Sequence, residues 1–233
     1  MKIMTFNVQH FANYYNGNKI DYEVYEKTLK ESDWDILGFN EIRSEGPYPG
    51  YEKQTEIMAE RVGVEHYFFA EATKIYGENS YGNAMFSKIP IIKKEVIHIP
   101  DPEVQTGERD YETRCILKAK LEGEITVLVT HFGLNPDEHE NAVKTVMEHI
   151  CPEKCILMGD FNVNPDSKLL LPIREKMKDT ADVFSEPLYS WPRENPRRKI
   201  DYIFVSPDIE VVSADIPAIG HSDHRPHTAE IKL

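Results

Sequence analysis

The sequence Gly159-Asp160-Phe161-Asn162 directly follows the apolar run Cys155-Ile156-Leu157-Met158. That run has the length of a buried strand, and residues two apart on a strand point to the same face. Asp160 and Asn162 would then present a carboxylate and an amide together at the carboxyl end of a strand, the edge where open α/β sheets usually place their sites. An Asx turn is the alternative, because Asp and Asn both suit loops.

Five other segments place an acid, an amide or an imidazole within or at the end of a predicted strand. The order of these segments along the chain is the feature that can be compared with known families. They are residues 2–7 (KIMTFN), 35–42 (DILGFNEI), 127–131 (VLVTH), 199–205 (KIDYIFV) and 220–226 (GHSDHRP).

In this order the segments resemble the endonuclease/exonuclease/phosphatase superfamily of metal-dependent phosphoesterases. The resemblance extends from Asn7 to His224, and GDFN, KIDYIFVS and SDHRP carry most of it. It implies an α/β (α+β) fold: a four-layer sandwich of two packed, mostly antiparallel β-sheets flanked by helices, with 1–233 as one domain. The family includes DNA nucleases, sphingomyelinases, inositol polyphosphate phosphatases and deadenylases, so it implies the chemistry better than the substrate.

The composition limits the classes of partner. The chain has 27 basic and 40 acidic residues, a formal net charge of −13, which repels polyanions at long range. This argues against tight non-specific binding of DNA or RNA, although a metal ion and a local basic cluster can reverse the sign at a site. No stretch approaches the roughly 20 apolar residues of a membrane-spanning helix, and no signal-peptide core follows the N-terminus. We expect a cytoplasmic protein without a membrane partner.

The three cysteines are an odd number in a chain without a secretion signal, which argues against a disulfide framework. Cys151 and Cys155 have the spacing of half a metal site, but no second pair accompanies them. A reduced, structural role is the better interpretation.

Hydrophobic spacing predicts the order of helices and strands. Helices are predicted over 22–32, 54–62 and 134–150, and a further helix is predicted from a cap at Asp166 or Ser167 to Met177. Strands are predicted over 1–8, 35–39, 65–70, 114–121, 125–130, 200–205, 210–214 and 228–233, and the segment 79–91 is predicted to hold a buried strand that stops before Pro90. This order fits the sandwich but does not by itself separate it from another α/β layering.

The resemblance implies a divalent cation, Mg²⁺ with Mn²⁺ as a possible substitute. Mg²⁺ needs oxygen ligands and is usually bound by one or two carboxylates. Glu41 matches the main metal ligand, Asn7 would assist it, and Asp223 would be a further ligand or a nearby acceptor. The alternative for Glu41 is an exposed loop acid or an ion pair with Arg43.

The resemblance also implies how the ester is attacked. Asp160 would orient and deprotonate the attacking water, and Asn162 would aim that water or a phosphate oxygen. His224 would donate to the phosphate as charge grows, while Asp201 would fix the tautomer of His224. No Ser or Cys is placed with a base, so direct hydrolysis without a covalent intermediate is expected.

Arg114 and His131 match positions that approach the substrate phosphate in the family, and they would share this role with Asn162 and His224. Some nucleases of the family have Tyr where this chain has His131, so that residue does not identify the substrate. The alternatives are a surface ion pair of little energy for Arg114 and a hydrogen-bonded loop imidazole for His131.

Two loops are open between a structural role and a role in specificity. Residues 9–21 contain His10, Tyr14 and Tyr15, which either help to line a pocket or belong to a plain surface loop. The second loop brings four basic residues close to Asp201, either to attract a phosphorylated ligand or to offset nearby acids. These four residues are Arg193, Arg197, Arg198 and Lys199.

We expect a phosphorylated substrate, either a small molecule or a nucleic acid, and the sequence identifies no protein partner. The leading hypothesis is Mg²⁺-dependent hydrolysis of a soluble phosphodiester or phosphomonoester. A DNA endonuclease or exonuclease is the alternative within the same class, and the acidic balance favours the first. A catalytically silent phosphate-binding module is the alternative from another class. A zinc site built from His221, His224 and His227, with Asp223 as a fourth ligand, is a further one.

Overall fold

Fourteen strands and four α-helices occur in the computed structural model, which describes residues 1–233. The helices are α1 (Tyr22–Glu31), α2 (Gln54–Val62), α3 (Pro136–His149) and α4 (Leu171–Arg174). The strands are β1 (Lys2–Asn7), β2 (Ala12–Asn13), β3 (Lys19–Ile20), β4 (Ile36–Arg43), β5 (His66–Ile75), β6 (Asn79–Ser87), β7 (Ile91–His98), β8 (Cys115–Leu121), β9 (Thr126–His131), β10 (Cys155–Asp160), β11 (Lys178–Asp179), β12 (Asp201–Val205), β13 (Glu210–Asp215) and β14 (His227–Lys232).

Two six-stranded sheets contain all strands except the short pair β2 and β3. Their strand orders are β13-β14-β1-β4-β6-β5 and β11-β12-β10-β9-β8-β7. Each sheet has a single pair of parallel neighbours, β1 with β4 and β9 with β10, and every other pairing is antiparallel. The predicted pair of mostly antiparallel sheets is therefore confirmed.

Three apolar clusters define four layers. The cluster between the sheets includes Ile3, Met158 and Ile203. A second cluster lies between the first sheet and the helices α1 and α2, and a third lies between the second sheet and the helices α3 and α4. The strands β1, β4, β9, β10 and β12 are thus buried on both faces, which explains their nearly continuous apolar sequences.

The longer helices begin at the side chains that the sequence suggests. Asp21 accepts from the backbone N–H of Val24 at the start of α1. Asn135 and Glu138 form a capping box at the start of α3, with Pro136 in the first turn, an arrangement that satisfies otherwise free N–H groups. No helix in the structure is long and apolar enough to cross a membrane.

Several elements differ from the sequence prediction, including the short strands β2, β3 and β11, which were not predicted. The strand β7 was not predicted, because its exposed side chains follow no simple alternation at this edge of the sheet. The helix predicted to run to Met177 is only a 3₁₀ turn over 168–170 followed by α4, although Ser167 does cap it through the N–H of Leu169. The strand β4 does not stop before Glu41 but continues to Arg43 through an irregular register.

Candidate active site

The predicted catalytic residues lie at one edge of the interface between the two sheets. Along β10, Ile156 and Met158 pack into the core between the sheets, and Asp160 is the next residue with this orientation. In the register of the second sheet Asp160 lies opposite His131 on one side and Asp201 on the other. Strand alternation therefore places these three side chains together where the apolar core ends.

Asn7 connects the two acids nearest the centre. Its Nδ2 donates to Glu41 Oε1 at 2.9 Å and to Asp160 Oδ2 at 3.1 Å. Its Oδ1 accepts from the backbone N–H of Gln9 at 3.1 Å, which fixes the orientation of the amide. Asn7 therefore holds the two carboxylates side by side. Its amide donates to both acids, beside the position predicted for the metal ion.

Glu41 reaches this position through a distortion of β4. Its φ is 63°, in the left-handed region that is uncommon for a residue with a side chain, and the pairing of β4 with β6 shifts between Phe39 and Ile42. Such a bulge redirects a side chain that strand alternation would send elsewhere. The sequence places Glu41 correctly near the end of the strand, but the bulge aims its carboxylate at Asn7.

Asp160 is almost completely buried and is surrounded by polar groups. Its Oδ1 accepts from the backbone N–H of Asn162 at 2.9 Å, while its Oδ2 accepts from Asn7. Burial and then the charge of Asp201 raise the pKa of Asp160 to about 7, although the charge of His224 and these hydrogen bonds act in the opposite direction. A carboxylate whose pKa is moved toward neutrality is suited to accept a proton from water.

His224 and Asp201 form a buried acid–imidazole pair. His224 Nδ1 donates to Asp201 Oδ2 at 2.8 Å, and His224 Nε2 lies 3.6 Å from Asp160 Oδ2. Burial opposes a charged imidazole, but Asp201 and then Asp160 outweigh it and raise the pKa of His224 to about 10. The raised pKa favours the protonated ring, and Nε2 is directed toward Asp160 at the centre of the site.

His131 is held in the opposite charge state. Burial, followed by the charges of Arg114 and His224, lowers the pKa of His131 well below its usual value. Arg114 Nη1 lies 3.0 Å from His131 Nδ1, and a guanidinium can only donate. Nε2, on the other side of the ring, lies 3.7 Å from Asp160 Oδ2 and 3.2 Å from Asn162 Nδ2, which is also a donor.

Asn162 lies beyond the end of β10, so the predicted strand alternation does not orient it. Its φ is 53°, and this left-handed turn brings Asn162 Nδ2 to 3.1 Å from the carbonyl of Phe132 and 3.2 Å from His131 Nε2. The Asx-turn alternative is present as well, because the N–H of Asn162 bonds the Asp160 carboxylate. The Asx turn at Asp160 is therefore part of the candidate active site.

Asp223 lies apart from the other predicted metal ligands. Its carboxylate accepts from Ser222 Oγ at 3.2 Å and from Trp191 Nε1 at 3.4 Å, and it makes no hydrogen bond to Asn7 or Glu41. The structure thus brings Asn7 and Glu41 together with Asp160 and connects Asp223 to the surrounding loops.

The donor atoms at this edge suit a hard cation. The closest group of potential ligands comprises Asp160, Asp201 and His224, whose ligand atoms lie within 4.8 Å of one another. Two of these three ligands are carboxylates, and His224 contacts Asp201 through Nδ1. Oxygen donors remain, including Asp201 Oδ1, which is buried without a hydrogen-bond partner, and Mg²⁺ prefers such oxygens.

The zinc alternative does not fit, because the three histidines face different groups. His227 is buried, with Nδ1 at 3.2 Å from the carbonyl of Asp201 and Nε2 at 3.1 Å from Thr180 Oγ1. The ring of His221 packs edge-on against Tyr15. Only His224 reaches the catalytic residues.

Two residues of the site were missed by sequence reasoning. Asn40 accepts from the N–H of Asp160 at 2.9 Å and donates to the carbonyl of Thr130 at 2.9 Å, which joins the two sheets. Glu112 pairs with Arg114 at 2.9 Å from a polar loop. Asn40 continues the inner-face alternation of β4 from Ile36, a signal that was available in the sequence, whereas nothing local distinguishes Glu112.

The basic loop is mainly structural. Arg193 donates to Tyr15 and to the carbonyls of Ala218 and Ile219, and the buried Lys199 lies 3.6 Å from Asp179. Arg198 donates to Asn164 and to the carbonyl of Asn162. Arg197 alone of the four is exposed.

The prediction that residues of the 9–21 loop line a pocket is only partly supported. Tyr15 contacts the Arg193 loop, and its hydroxyl also bonds Glu194, while His10 is neutral because burial and then Arg43 lower its pKa to about 4. A cavity of about 1020 Å³ lies between α1, β13 and β14 and includes none of the catalytic residues. The concentration of perturbed charges, and not cavity size, marks the active site.

Comparison with known proteins gives one family. The model of the Endonuclease/Exonuclease/phosphatase family matches residues 4–224. A search of curated protein sequences finds no match.

Solved structures share the fold over the whole chain at low identity. A mannosyl-6-phosphatase of Bacteroides thetaiotaomicron matches with a TM-score of 0.79 and 17% identity, covering 100% of both chains. An endonuclease/exonuclease/phosphatase of Beutenbergia cavernae matches with a TM-score of 0.78 and 20% identity, covering 100% of this chain and 71% of the other. The 3′ phosphatase NExo of Neisseria, solved with a product DNA hairpin, matches with a TM-score of 0.68 and 18% identity, covering 100% of both chains.

Proposed function

This chain belongs to the Endonuclease/Exonuclease/phosphatase family, and from that membership we propose that it is a Mg²⁺-dependent phosphoesterase that hydrolyses a soluble phosphodiester or phosphomonoester by direct attack of water. The observation that carries the proposal is the position of Asp160. Its buried carboxylate lies between the Asn7 amide and the His224 imidazolium, with Nε2 of His224 at 3.6 Å. One base and one acid thus face the same small space.

Asp160 takes the proton of the attacking water in this proposal. Its pKa near 7 keeps a substantial fraction ionised at neutral pH and makes it a stronger base than an exposed carboxylate. Asn7 and the N–H of Asn162 hold the carboxylate in place, so the orientation of the water does not depend on a mobile side chain.

His224 and His131 stabilise charge on the phosphate oxygens. Asp201 fixes the Nδ1 hydrogen of His224, which leaves the Nε2 hydrogen free for the substrate. Arg114 donates to Nδ1 of His131, and in this proposal His131 turns an Nε2–H toward the substrate, at the position that Asn162 Nδ2 faces at 3.2 Å. Both rings are buried, so their donors act in an environment of low dielectric, where such bonds are strong.

Glu41 would hold Mg²⁺, or Mn²⁺ in its place, with Asn7 and Asp223 nearby, and the bound cation would neutralise charge on the phosphate oxygens. The carboxylates that Asn7 joins support this assignment. We keep Asp223 in the proposal as a more distant acceptor, since its contacts are with Ser222 and Trp191.

The substrate class is the least determined part of the proposal. Two proteins with the same fold are a mannosyl-6-phosphatase and a 3′ phosphatase bound to a DNA hairpin, so both a small ester and a nucleic acid end are compatible with it. The net charge of −13 and the engaged arginines of the basic loop favour a small or short substrate over duplex DNA. A DNA nuclease stays the alternative, and we propose a cytoplasmic location.

A substrate panel tests the function. Purified protein with Mg²⁺ is assayed on p-nitrophenyl phosphate, bis-p-nitrophenyl phosphate, an abasic-site duplex and sugar phosphates, with Asp160→Asn as the control. Activity on a small ester that this substitution abolishes supports the proposal. Cleavage of the abasic duplex far above the small esters supports the nuclease, while no activity sensitive to the substitution favours a silent binding module.

A further inference from the structure

Arg43 has an unusual environment for an arginine in this protein. It ends β4, two residues beyond Glu41, and is partly buried, with its Nε inaccessible and without a hydrogen-bond partner. Its guanidinium forms no ion pair, so the ion pair with Glu41 that the sequence allowed does not exist, and its side-chain contact is with Tyr51. In a chain with 40 acidic residues, a half-buried cation without an acid is unexpected.

The other partly buried arginines are all engaged. Arg114 pairs with Glu112, and Arg174 pairs with Asp179. Arg193, Arg198 and Arg225 donate to oxygen atoms of the surrounding loops. An unpartnered Nε is shared with Arg114 and Arg174, but Arg43 alone of these three has no acid beside it, so the outer edge of its guanidinium is open to an acceptor that is not part of the chain.

The guanidinium of Arg43 is also held in place. Its carbon lies 4.8 Å from the centre of the Tyr51 ring, a stacking arrangement that restricts the side chain. The backbone N–H of Arg43 donates to Gln54 Oε1, and the amide of Gln54 in turn donates to the carbonyl of His10. A Cβ on Gly50 would lie 3.2 Å from Arg43 Nη1, so the glycine leaves room for the planar group.

Arg43 lies on the same side of the active site as the phosphate-binding residues. Its partner across the β4–β6 pair is Tyr81. Burial, then Glu41 and Glu112, raise the pKa of Tyr81 well above its usual value, while Arg114 and Arg43 oppose this shift. Tyr81 is therefore flanked by both arginines, and Arg43 is separated from Glu41 by two residues, roughly 7 Å along the strand.

We infer that Arg43 forms a subsite for a second anionic group of the substrate, beside the ester that is cleaved. The subsite takes a phosphate, bound by the free edge of the guanidinium, and so selects substrates with two phosphoryl groups over those with one. The inference rests on the proposed function for the position of the cleaved ester. The second phosphoryl group comes from a nucleotide or from a phosphorylated sugar.

The surface beside Arg43 bears on whether the ligand is a nucleotide or a phosphorylated sugar. Tyr48 belongs to the same turn as Tyr51, since its carbonyl accepts from the N–H of Tyr51. Tyr48 and Tyr76 contact each other with ring centres 5.6 Å apart and are 50% and 81% exposed. Asn79 holds this pair to the β5–β6 turn through the N–H of Tyr48. A nucleobase can stack on such rings, whereas an open-chain or furanose sugar gains little there.

The test compares pairs of substrates that differ by one phosphate. The nucleotide arm uses thymidine 5′-(p-nitrophenyl phosphate) with and without a 3′-phosphate, and the sugar arm uses fructose 1,6-bisphosphate against fructose 6-phosphate. The quantity measured is the ratio of kcat/KM within each pair, for the wild type, Arg43→Gln and Arg61→Gln. Arg61 is the matched control, because its exposed guanidinium pairs with Glu26 between α1 and α2.

The wild type is expected to prefer the member with two phosphates in at least one arm. Arg43→Gln should reduce that preference about tenfold to a hundredfold, the usual effect of losing a charge-assisted hydrogen bond, and Arg61→Gln should leave it unchanged. A loss in the nucleotide arm alone identifies a nucleotide, and a loss in the sugar arm identifies a bisphosphorylated sugar. Equal ratios in the wild type and Arg43→Gln in both arms overturn the inference.

If the protein hydrolyses none of these esters, the proposed function is refuted. The subsite is then tested by a binding measurement. The Asp160→Asn protein is titrated with thymidine 3′,5′-bisphosphate and with thymidine 5′-phosphate, and in parallel with the two fructose phosphates. NMR follows the Nε–H resonance of Arg43 during each titration. The subsite is supported, even without activity, if this resonance shifts with a bisphosphate and if Arg43→Gln removes the preference for the bisphosphate over the monophosphate. No shift and no preference overturn it.

Discussion

The side chain of Asn40 accepts a hydrogen bond from the backbone N–H of Asp160 at 2.9 Å, across the interface between the two sheets. The same side chain donates to Asn83 Oδ1 at 2.8 Å and to the carbonyl of Thr130 at 2.9 Å. Asn83 continues the chain of bonds to the carbonyl of Cys115. The catalytic strand β10 is thus positioned by a residue of the other sheet.

Asn40→Ala should therefore reduce both stability and activity. The substitution leaves the N–H of Asp160 and the carbonyl of Thr130 buried without partners, and we expect the free energy of unfolding to fall by about 3 kcal/mol. Urea denaturation measures this, with the exposed Asn164→Ala as the control. A loss below about 0.5 kcal/mol would show that the bonds between the sheets are dispensable.

Asp160→Asn should reduce kcat by a factor of about 10² to 10⁴, the usual contribution of a general base. The amide has nearly the same shape but cannot take a proton from water. Steady-state kinetics on the best small ester measures the effect, and Asp166→Asn, on the exposed side of the same loop, is the control. Wild-type turnover in Asp160→Asn would remove Asp160 from the role of base.

Asp201→Asn should lower the pKa of His224 from about 10 toward its ordinary value, because the carboxylate that stabilises the imidazolium is lost. His224 would then lose its proton at a lower pH, so the alkaline limb of activity should move to lower pH, and kcat should fall roughly a hundredfold. NMR titration of the His224 ring and the pH profile of kcat measure both. An unmoved alkaline limb would separate Asp201 from the function of His224.

Glu41→Gln should raise the Mg²⁺ concentration needed for half-maximal activity by roughly tenfold or more, because a neutral amide is a weaker ligand for a hard cation. Glu45→Gln is a suitable control, since Glu45 is exposed and pairs with Lys53. The measurement is a Mg²⁺ titration of activity, repeated with Mn²⁺. Superimposable titrations of wild type and Glu41→Gln would contradict the ligand assignment.

His227 should make the fold sensitive to acid. Burial and then Lys199 lower the pKa of His227 to about 4, below the value of about 6.5 in an unfolded chain. The neutral ring therefore contributes stability that is present above about pH 6.5 and is lost as pH falls toward 4, by about 3 kcal/mol in total.

His227→Gln tests this contribution, because its amide can replace the hydrogen bonds to the carbonyl of Asp201 and to Thr180 Oγ1. Urea unfolding at pH 7 and pH 4.5 should show a smaller loss of stability on acidification in His227→Gln than in the wild type. An equal loss in both would assign the acid sensitivity to other groups.

Some features of the protein are determined by sequence alone, because they depend on short-range rules. Strand alternation places Asp160 at the end of β10, and the Asn135-Pro136 start of α3 follows from capping. The ordered motifs imply the two packed sheets and the family, both of which the structure and the family match support.

Tertiary structure decided what depends on the approach of segments far apart in the chain. The left-handed conformations of Glu41 and Asn162 are stable only because the surrounding strands and hydrogen bonds hold them. The opposite charge states of His131 and His224 come from burial and from which charged groups face each ring. Arg43 is free because no acid folds against it. The residues nearby in sequence carry none of this information, since desolvation and pairing arise only when the two sheets close on one another.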